Sequence, residues 1–158
     1  MGGSSNSYLY RALVIDNPLA ISAGAGYQGT SLDPSQFSIS VTPKPGVEFA
    51  QIEQAIDKVI ADVIQNPARA EDLERVKTQL IAEAIYAQDS QATLARWYGG
   101  ALTTGLSIDD IRSWPERIRA VTAEQVRDAA QKWLDKKRSV TGYLIKENAA
   151  PKREEKRS

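Results

Sequence analysis

The sequence predicts an α+β fold of two layers, in which a mainly antiparallel sheet is covered on one face by several helices. Two observations carry this prediction. Residues 37–42 alternate strictly between apolar and polar, which is the period of a strand with one solvated face. After Pro45-Gly46 the period changes to 3.6, and an apolar stripe runs along residues 49–64. Strands therefore come first, and amphipathic helices follow them.

The elements before Pro45 are predicted to be one short helix and a hairpin. Residues 7–14 carry apolar groups at helical spacing, and Asn17-Pro18 ends the pattern. Residues 19–29 and 37–43 are predicted to pair as antiparallel strands, because the connection between them is rich in glycine, proline and serine.

Four or five helices are predicted after the hairpin. The first follows Pro45-Gly46, and the second continues from Asn66-Pro67 to about Gln88. A third ends at Gly105, a residue that favours the C-terminal end of a helix. Two more begin at capping-box sequences. These start at Ser107 and Thr122, and Trp114-Pro115 interrupts the first of them.

The segment Ser139 to Ile145 is predicted to form a last strand that returns beside the hairpin. Residues 148–158 are charged and carry no apolar anchor, so a disordered tail is expected there. The expected organisation is therefore a single domain over residues 1–147 followed by this tail.

Composition excludes several kinds of chemistry. The chain has 158 residues, with 20 Lys plus Arg against 20 Asp plus Glu, and it contains no His and no Cys. It therefore has no imidazole base, no Ser-His-Asp triad, no thiolate nucleophile, no disulfide and no zinc site that uses His. Zero net charge argues against nucleic acid as a partner. No apolar run approaches the roughly 20 residues of a membrane span.

Carboxylates and glycines are the remaining candidates for chemistry, and both favour structural roles. The carboxylates lie on helices, where solvated faces and helix N-termini account for acidic residues. They are Asp72, Glu74, Glu83, Asp109 and Asp110. Gly24, Gly26 and Gly29 lie within or beside a strand that leads to another strand, whereas a phosphate-binding glycine loop joins a strand to a helix. The three tryptophans are expected to be core or interface anchors.

A set of segments in a fixed order carries a family resemblance. The segments are Gly2–Arg11, Leu19-Ala20, Ala23-Gly24, Val41-Thr42-Pro43, Pro45-Gly46, Asp72–Lys77, Leu102–Leu106 and Val121–Val126. This ordered set resembles the C-terminal homologous domain of pitrilysin/insulinase-type zinc metallopeptidases, and the resemblance covers essentially residues 2–146. That family includes the mitochondrial processing peptidases and bacterial two-subunit relatives.

The resemblance implies that zinc is bound by an H-x-x-E-H motif in another domain. This chain has no His, so it is expected to hold no cofactor, and the zinc would belong to the parent enzyme or a partner. Family domains begin with a strand and most of a helix before the glycine/serine segment. The chain is therefore expected to lack that first strand and part of its first helix, and an open sheet edge would then allow self-association.

Val14 and Ile21 mark a departure from the family pattern. Peptide-binding members read L-R-x-x-x-x-L-A-Y where this chain has residues 13–21. Their Arg and Tyr, which help to polarise the scissile carbonyl and hold the peptide, correspond to Val14 and Ile21. Neither side chain can donate a hydrogen bond. The resemblance therefore predicts substrate-facing positions without a catalytic residue.

The function predicted from this resemblance is a non-catalytic C-terminal domain of a zinc metallopeptidase. It would wall the peptide chamber and contact an N-terminal metal domain or a homologous partner subunit. One alternative is an inactive structural or assembly subunit with the same fold, and another is an unrelated α+β domain that binds a small molecule. The compartment stays open between bacterial periplasm and cytoplasm, with the family favouring the periplasm.

Overall fold

The structure is a computed structural model that describes residues 1–145. It begins with a helix whose first turn, α1, spans Tyr8–Tyr10 and continues as a π-helix over Arg11–Asp16. The Ser7 side chain caps this helix by accepting a hydrogen bond from the backbone N–H of Tyr10. The π-helix ends where Asn17 donates its backbone N–H to the carbonyl of Ala12.

Strands β1 (Ala20–Tyr27) and β2 (Phe37–Pro43) pair antiparallel, as the sequence predicts. Ala23 lies opposite Val41 and Ala25 opposite Ile39, and these four residues face the helices. The other face carries Ser, Thr and Gly and is exposed. The predicted hairpin with one solvated face is therefore confirmed.

The helices follow in the predicted order, but the described residues after the hairpin form six of them instead of the predicted four or five, because Trp114-Pro115 begins a separate helix. They are α2 (Phe49–Gln65), α3 (Ala70–Tyr86), α4 (Gln91–Thr103), α5 (Ile108–Arg112), α6 (Trp114–Ala120) and α7 (Ala123–Trp133), with 3₁₀ turns at Ala87–Asp89 and Lys136–Arg138. Capping boxes open α5 at Ser107 and α7 at Thr122. Gly105 has a φ of 89°, a left-handed conformation that suits the residue after α4.

The main core lies between the hairpin, the first helix and α2. Its side chains are at most 8% exposed, and Leu9 and Leu13 are fully buried. The members are Leu9, Leu13, Ala20, Ala23, Ile52 and Val59. Every member precedes residue 60, so α3–α7 add a helical layer that buries fewer large side chains.

The predicted third strand is wrong: residues 139–145 form no strand, and the sheet of the described residues is a two-stranded hairpin. This segment is held along α2 instead. The Tyr143 ring packs against Phe49 with centroids 4.8 Å apart, and its hydroxyl hydrogen-bonds Glu53. Side-chain contacts to α2 therefore replace the expected backbone pairing. The predicted tail, residues 148–158, lies outside the described residues.

Candidate functional site

The two positions predicted to face substrate lie in different environments. Val14 is partly buried on the π-helix and packs against the main core. Ile21, by contrast, is 59% exposed near the start of β1. Of the pair, only Ile21 thus presents its side chain mainly to solvent.

A β-bulge explains the exposure of Ile21. Ala20 pairs with Pro43 and Ser22 pairs with Thr42, which leaves Ile21 as a surplus residue of β1. Ala20 and Ala23 can then both point into the core although they are three positions apart. Beside the bulge, the Ser22 hydroxyl donates to Oγ1 of Thr42 at 3.0 Å on the exposed face. The hairpin therefore offers an apolar side chain next to a row of small polar ones.

The donor set does not fit a zinc ion. The chain has no His and no Cys, and residues 1–145 contain no group of three or more carboxylates placed to hold a metal. Three of the carboxylates singled out in the sequence have protein partners: Glu74 pairs with Lys77, Glu83 accepts from Gln79, and Asp110 accepts the backbone N–H of Ser107 in the capping box of α5. These contacts agree with the structural role that the sequence analysis gave to the carboxylates.

Asp72 is the centre of a charged cluster at the start of α3. Its carboxylate accepts hydrogen bonds from Arg69 at 2.8 Å, Arg75 at 3.0 Å and the Tyr8 hydroxyl at 3.4 Å. The hydrogen bonds from Arg75 and Arg69 hold the pKa of the Asp72 carboxyl below its usual value. The cluster ties α3 to the first helix and lines an open groove of about 1020 Å³ between these helices and α2.

Lys77 is a buried cation that the sequence does not reveal. It is 9% exposed, and its ammonium donates to Glu74 at 2.7 Å and to the backbone carbonyl of Arg119 at 3.0 Å. Arg119 is in the last turn of α6, where carbonyl groups lack helical partners. Lys77 therefore joins α3 to α6. Its partner lies 42 residues away, and no local pattern indicates such a contact.

The tryptophans divide into two environments. Trp97 and Trp114 are partly buried and meet edge to face, with centroids 6.4 Å apart, which agrees with their predicted role as anchors. Trp133 is 57% exposed, with the ammonium of Lys132 4.9 Å and the guanidinium of Arg138 5.1 Å from its ring centroid.

No helix among the described residues is long and apolar enough to cross a bilayer.

Residues 1–80 match the model of the family described as the peptidase M16 inactive domain. No curated protein sequence matches the chain significantly.

Solved structures share the fold. The inactive peptidase domain of a protein described as a zinc protease from Bordetella parapertussis has a TM-score of 0.81 at 19% identity, over 94% of this chain and 80% of that one. A protein described as a zinc protease from Bordetella pertussis Tohama I gives 0.80 at 19% identity, over 92% and 79%. A Helicobacter pylori protease gives 0.80 at 16% identity, and the match covers 85% of this chain but 32% of that one.

Proposed function

The chain belongs to the M16 peptidase inactive-domain family, and from this premise we propose that it serves a zinc metallopeptidase as a wall of the peptide chamber. Hydrolysis itself would be carried out elsewhere, by an N-terminal metal domain or a homologous partner subunit. The lack of His and Cys supports this division, because zinc peptidases hold their metal mainly through His with carboxylates. In this role the domain confines the bound peptide and contributes no catalytic group.

The exposed Ile21 is the observation that carries the proposal. It lies where family members that bind peptide have a Tyr, and the bulge turns it away from the core. Isoleucine offers apolar contact but no hydrogen-bond donor, so it can contact a peptide without stabilising an oxyanion. The surface that faces the peptide is therefore the exposed face of the hairpin around Ile21, Ser22 and Thr42.

Site-directed photo-crosslinking tests this orientation. A benzoylphenylalanine at position 21, in the chain combined with the metal-bearing polypeptide, is expected to cross-link to a bound peptide. The matched control carries the same group at Val76, which is 43% exposed on α3 and therefore on the helical layer. Equal cross-linking from positions 21 and 76, or from neither, would contradict the proposal.

A second measurement separates the chamber wall from a free-standing enzyme. The purified chain alone is expected to bind no stoichiometric zinc in elemental analysis after dialysis, and to cleave no fluorogenic peptide. The inactive assembly subunit remains the alternative, and it predicts that position 21 cross-links to a partner protein rather than to peptide. Zinc near one equivalent together with turnover would refute both.

A further inference from the structure

We propose that the surface around Trp133 binds the interface of an anionic lipid bilayer. This surface, the Trp133 patch, lies at the end of α7 and on the turn and segment that follow. It consists of Lys132, Trp133, Lys137, Arg138, Val140 and Leu144, all of which are exposed. The inference is independent of the proposed chamber wall, because the hairpin contributes no residue to the patch.

The apolar part of the patch is unusually open to solvent. Trp133 is 57% exposed and Val140 fully exposed, and Leu144 in the same segment is 96% exposed. These residues follow one another along one segment, 133–144, and a run of open apolar groups beside basic ones is typical of an interaction surface. Indole has an apolar body and one N–H donor, so it is suited to the boundary between headgroups and acyl chains.

The polar part of the patch is basic. Between Arg127 and Arg138 the chain has five basic residues (Arg127, Lys132, Lys136, Lys137, Arg138) and two acidic ones (Asp128, Asp135). Arg127 pairs with Asp128, Asp135 caps the 3₁₀ turn, and Lys136 pairs with Asp57 at 2.8 Å.

Three cations of the patch have no carboxylate partner among the described residues. Among residues 1–145, no carboxylate forms an ion pair with Lys132, Lys137 or Arg138. Basic side chains close to a bilayer are attracted by the negative surface potential of anionic lipids. The charge of the patch is therefore complementary to such a surface.

The shape of the patch favours a bilayer over a peptide or a nucleic acid. An extended peptide binds in a groove or along a strand, and the patch offers neither: it lies at the end of α7 and on the turn after it, and it lines no part of the open groove beside Asp72. Nucleic acid binding of this kind uses free aromatic faces for base stacking. The Trp133 ring already has Lys132 and Arg138 over it. Binding to lipid headgroups requires neither a groove or strand nor a free aromatic face.

Vesicle co-sedimentation of the full chain tests the proposal. One set of vesicles is an equimolar mixture of phosphatidylcholine and phosphatidylglycerol, and the other is phosphatidylcholine alone. The chain is expected to sediment with the first set only, and less so as salt screens the charges. Tryptophan emission should shift to the blue on binding, and Trp133→Phe should abolish most of that shift.

Two matched triple variants separate the patch from net charge. Lys132→Gln, Lys137→Gln and Arg138→Gln together should lower the partition coefficient about fivefold for each cation, hence roughly a hundredfold. The control changes Lys44, Lys58 and Arg96 to Gln, which removes the same charge from exposed positions outside the patch. It should bind nearly as well as the parent chain.

A third pair of variants tests the apolar contribution. Val140→Ser with Leu144→Ser should weaken binding in a way that low salt does not restore, and both residues are too exposed for the fold to depend on them. Leu32→Ser, at a loop position that is 81% exposed, is the control.

Equal sedimentation with both vesicle types, absence of binding to either, or equal loss in the two triple variants would overturn the proposal. Absence from both pellets is also the result expected if the patch serves an acidic protein.

Discussion

The family pattern treats Val14 and Ile21 as one pair of substrate-facing positions. In the structure Val14 is partly buried and Ile21 is exposed, so substitutions at the two positions should differ in their effect on stability. Val14→Arg would place a guanidinium against the main core, and we expect it to lower the free energy of unfolding by about 1–3 kcal/mol. Ile21→Tyr changes an exposed side chain at a bulge, so its effect should stay within about 0.5 kcal/mol. Urea denaturation of each single variant measures both values, and equal losses would contradict this assignment of environments.

The proposed function also predicts the outcome when the same two substitutions are combined. Restoring Arg and Tyr should not produce peptide cleavage without the partner, since hydrogen-bond donors act on a scissile carbonyl only when placed to within about 1 Å. Urea denaturation of the double variant shows whether it is folded, and this keeps an absence of turnover interpretable. Turnover by the partner-free double variant would mean that the domain belongs to the other half of the peptidase.

Lys77 provides a second test at the level of single residues. Lys77→Met keeps most of the side-chain volume but removes the donor to the Arg119 carbonyl, so unfolding should become easier by about 1–3 kcal/mol. Glu74→Gln removes the charge of the other partner, which is 68% exposed, and should cost less than about 0.5 kcal/mol. A Lys77→Met variant as stable as the parent would show that the contact between α3 and α6 does not depend on the ammonium.

At the scale of elements, the N-terminal segment covers part of the open edge of β1. The Ala25 backbone N–H donates to the Gly2 carbonyl at 3.2 Å. A Cβ at Gly2 would overlap the backbone nitrogen of Ala25, whereas a Cβ at Gly3 meets nothing within 4 Å. Gly2→Ala should therefore displace the segment and speed hydrogen exchange at Ala25, while Gly3→Ala leaves that rate unchanged. NMR exchange rates measure both, and similar rates in the two variants would argue against this contact.

Most elements could be predicted because their signals are local. The period of 3.6 after Pro45-Gly46 marks α2, and the alternation of residues 37–42 marks β2. The error at 139–145 has a physical cause: its composition favours a strand, but pairing depends on a free edge within reach. Tyr143 instead contacts Phe49 and Glu53 on α2. No pattern within the segment distinguishes these outcomes.

The geometry around the candidate position Ile21 could not be predicted from the sequence. The family pattern points to Ile21, but the surplus residue in β1 becomes visible only when Ser22 and Ala20 are paired with β2. Trp133 was expected to be an anchor, and its exposure depends on where the chain turns after α7. The bulge depends on how β1 pairs with β2, and the exposure of Trp133 depends on the turn after α7. The amphipathic pattern of the sequence predicts neither.

At the scale of the whole molecule, burial is concentrated in the first part of the chain. Leu13 is fully buried in the main core, so Leu13→Ala should lower the free energy of unfolding by about 2–5 kcal/mol. Leu32→Ala, at an exposed loop position, should stay within about 0.5 kcal/mol. Native-state hydrogen exchange should also find stronger protection in β1, β2 and α2 than in α4–α6. Uniform protection along the chain would contradict this division.

The bulge at Ile21 also has a consequence for the gene. Loss of codon 21 would bring Ala20 and Ala23 to a spacing of two, at which a regular strand still turns both towards the core. Loss of codon 24 would make Ala23 and Ala25 neighbours and force one of these alanines out to solvent. Single-codon deletions scored for soluble expression should therefore be tolerated at 21 and rejected at 24. In evolutionary terms, the bulge is a position in β1 where the length of the gene can change while the core alanines keep their places.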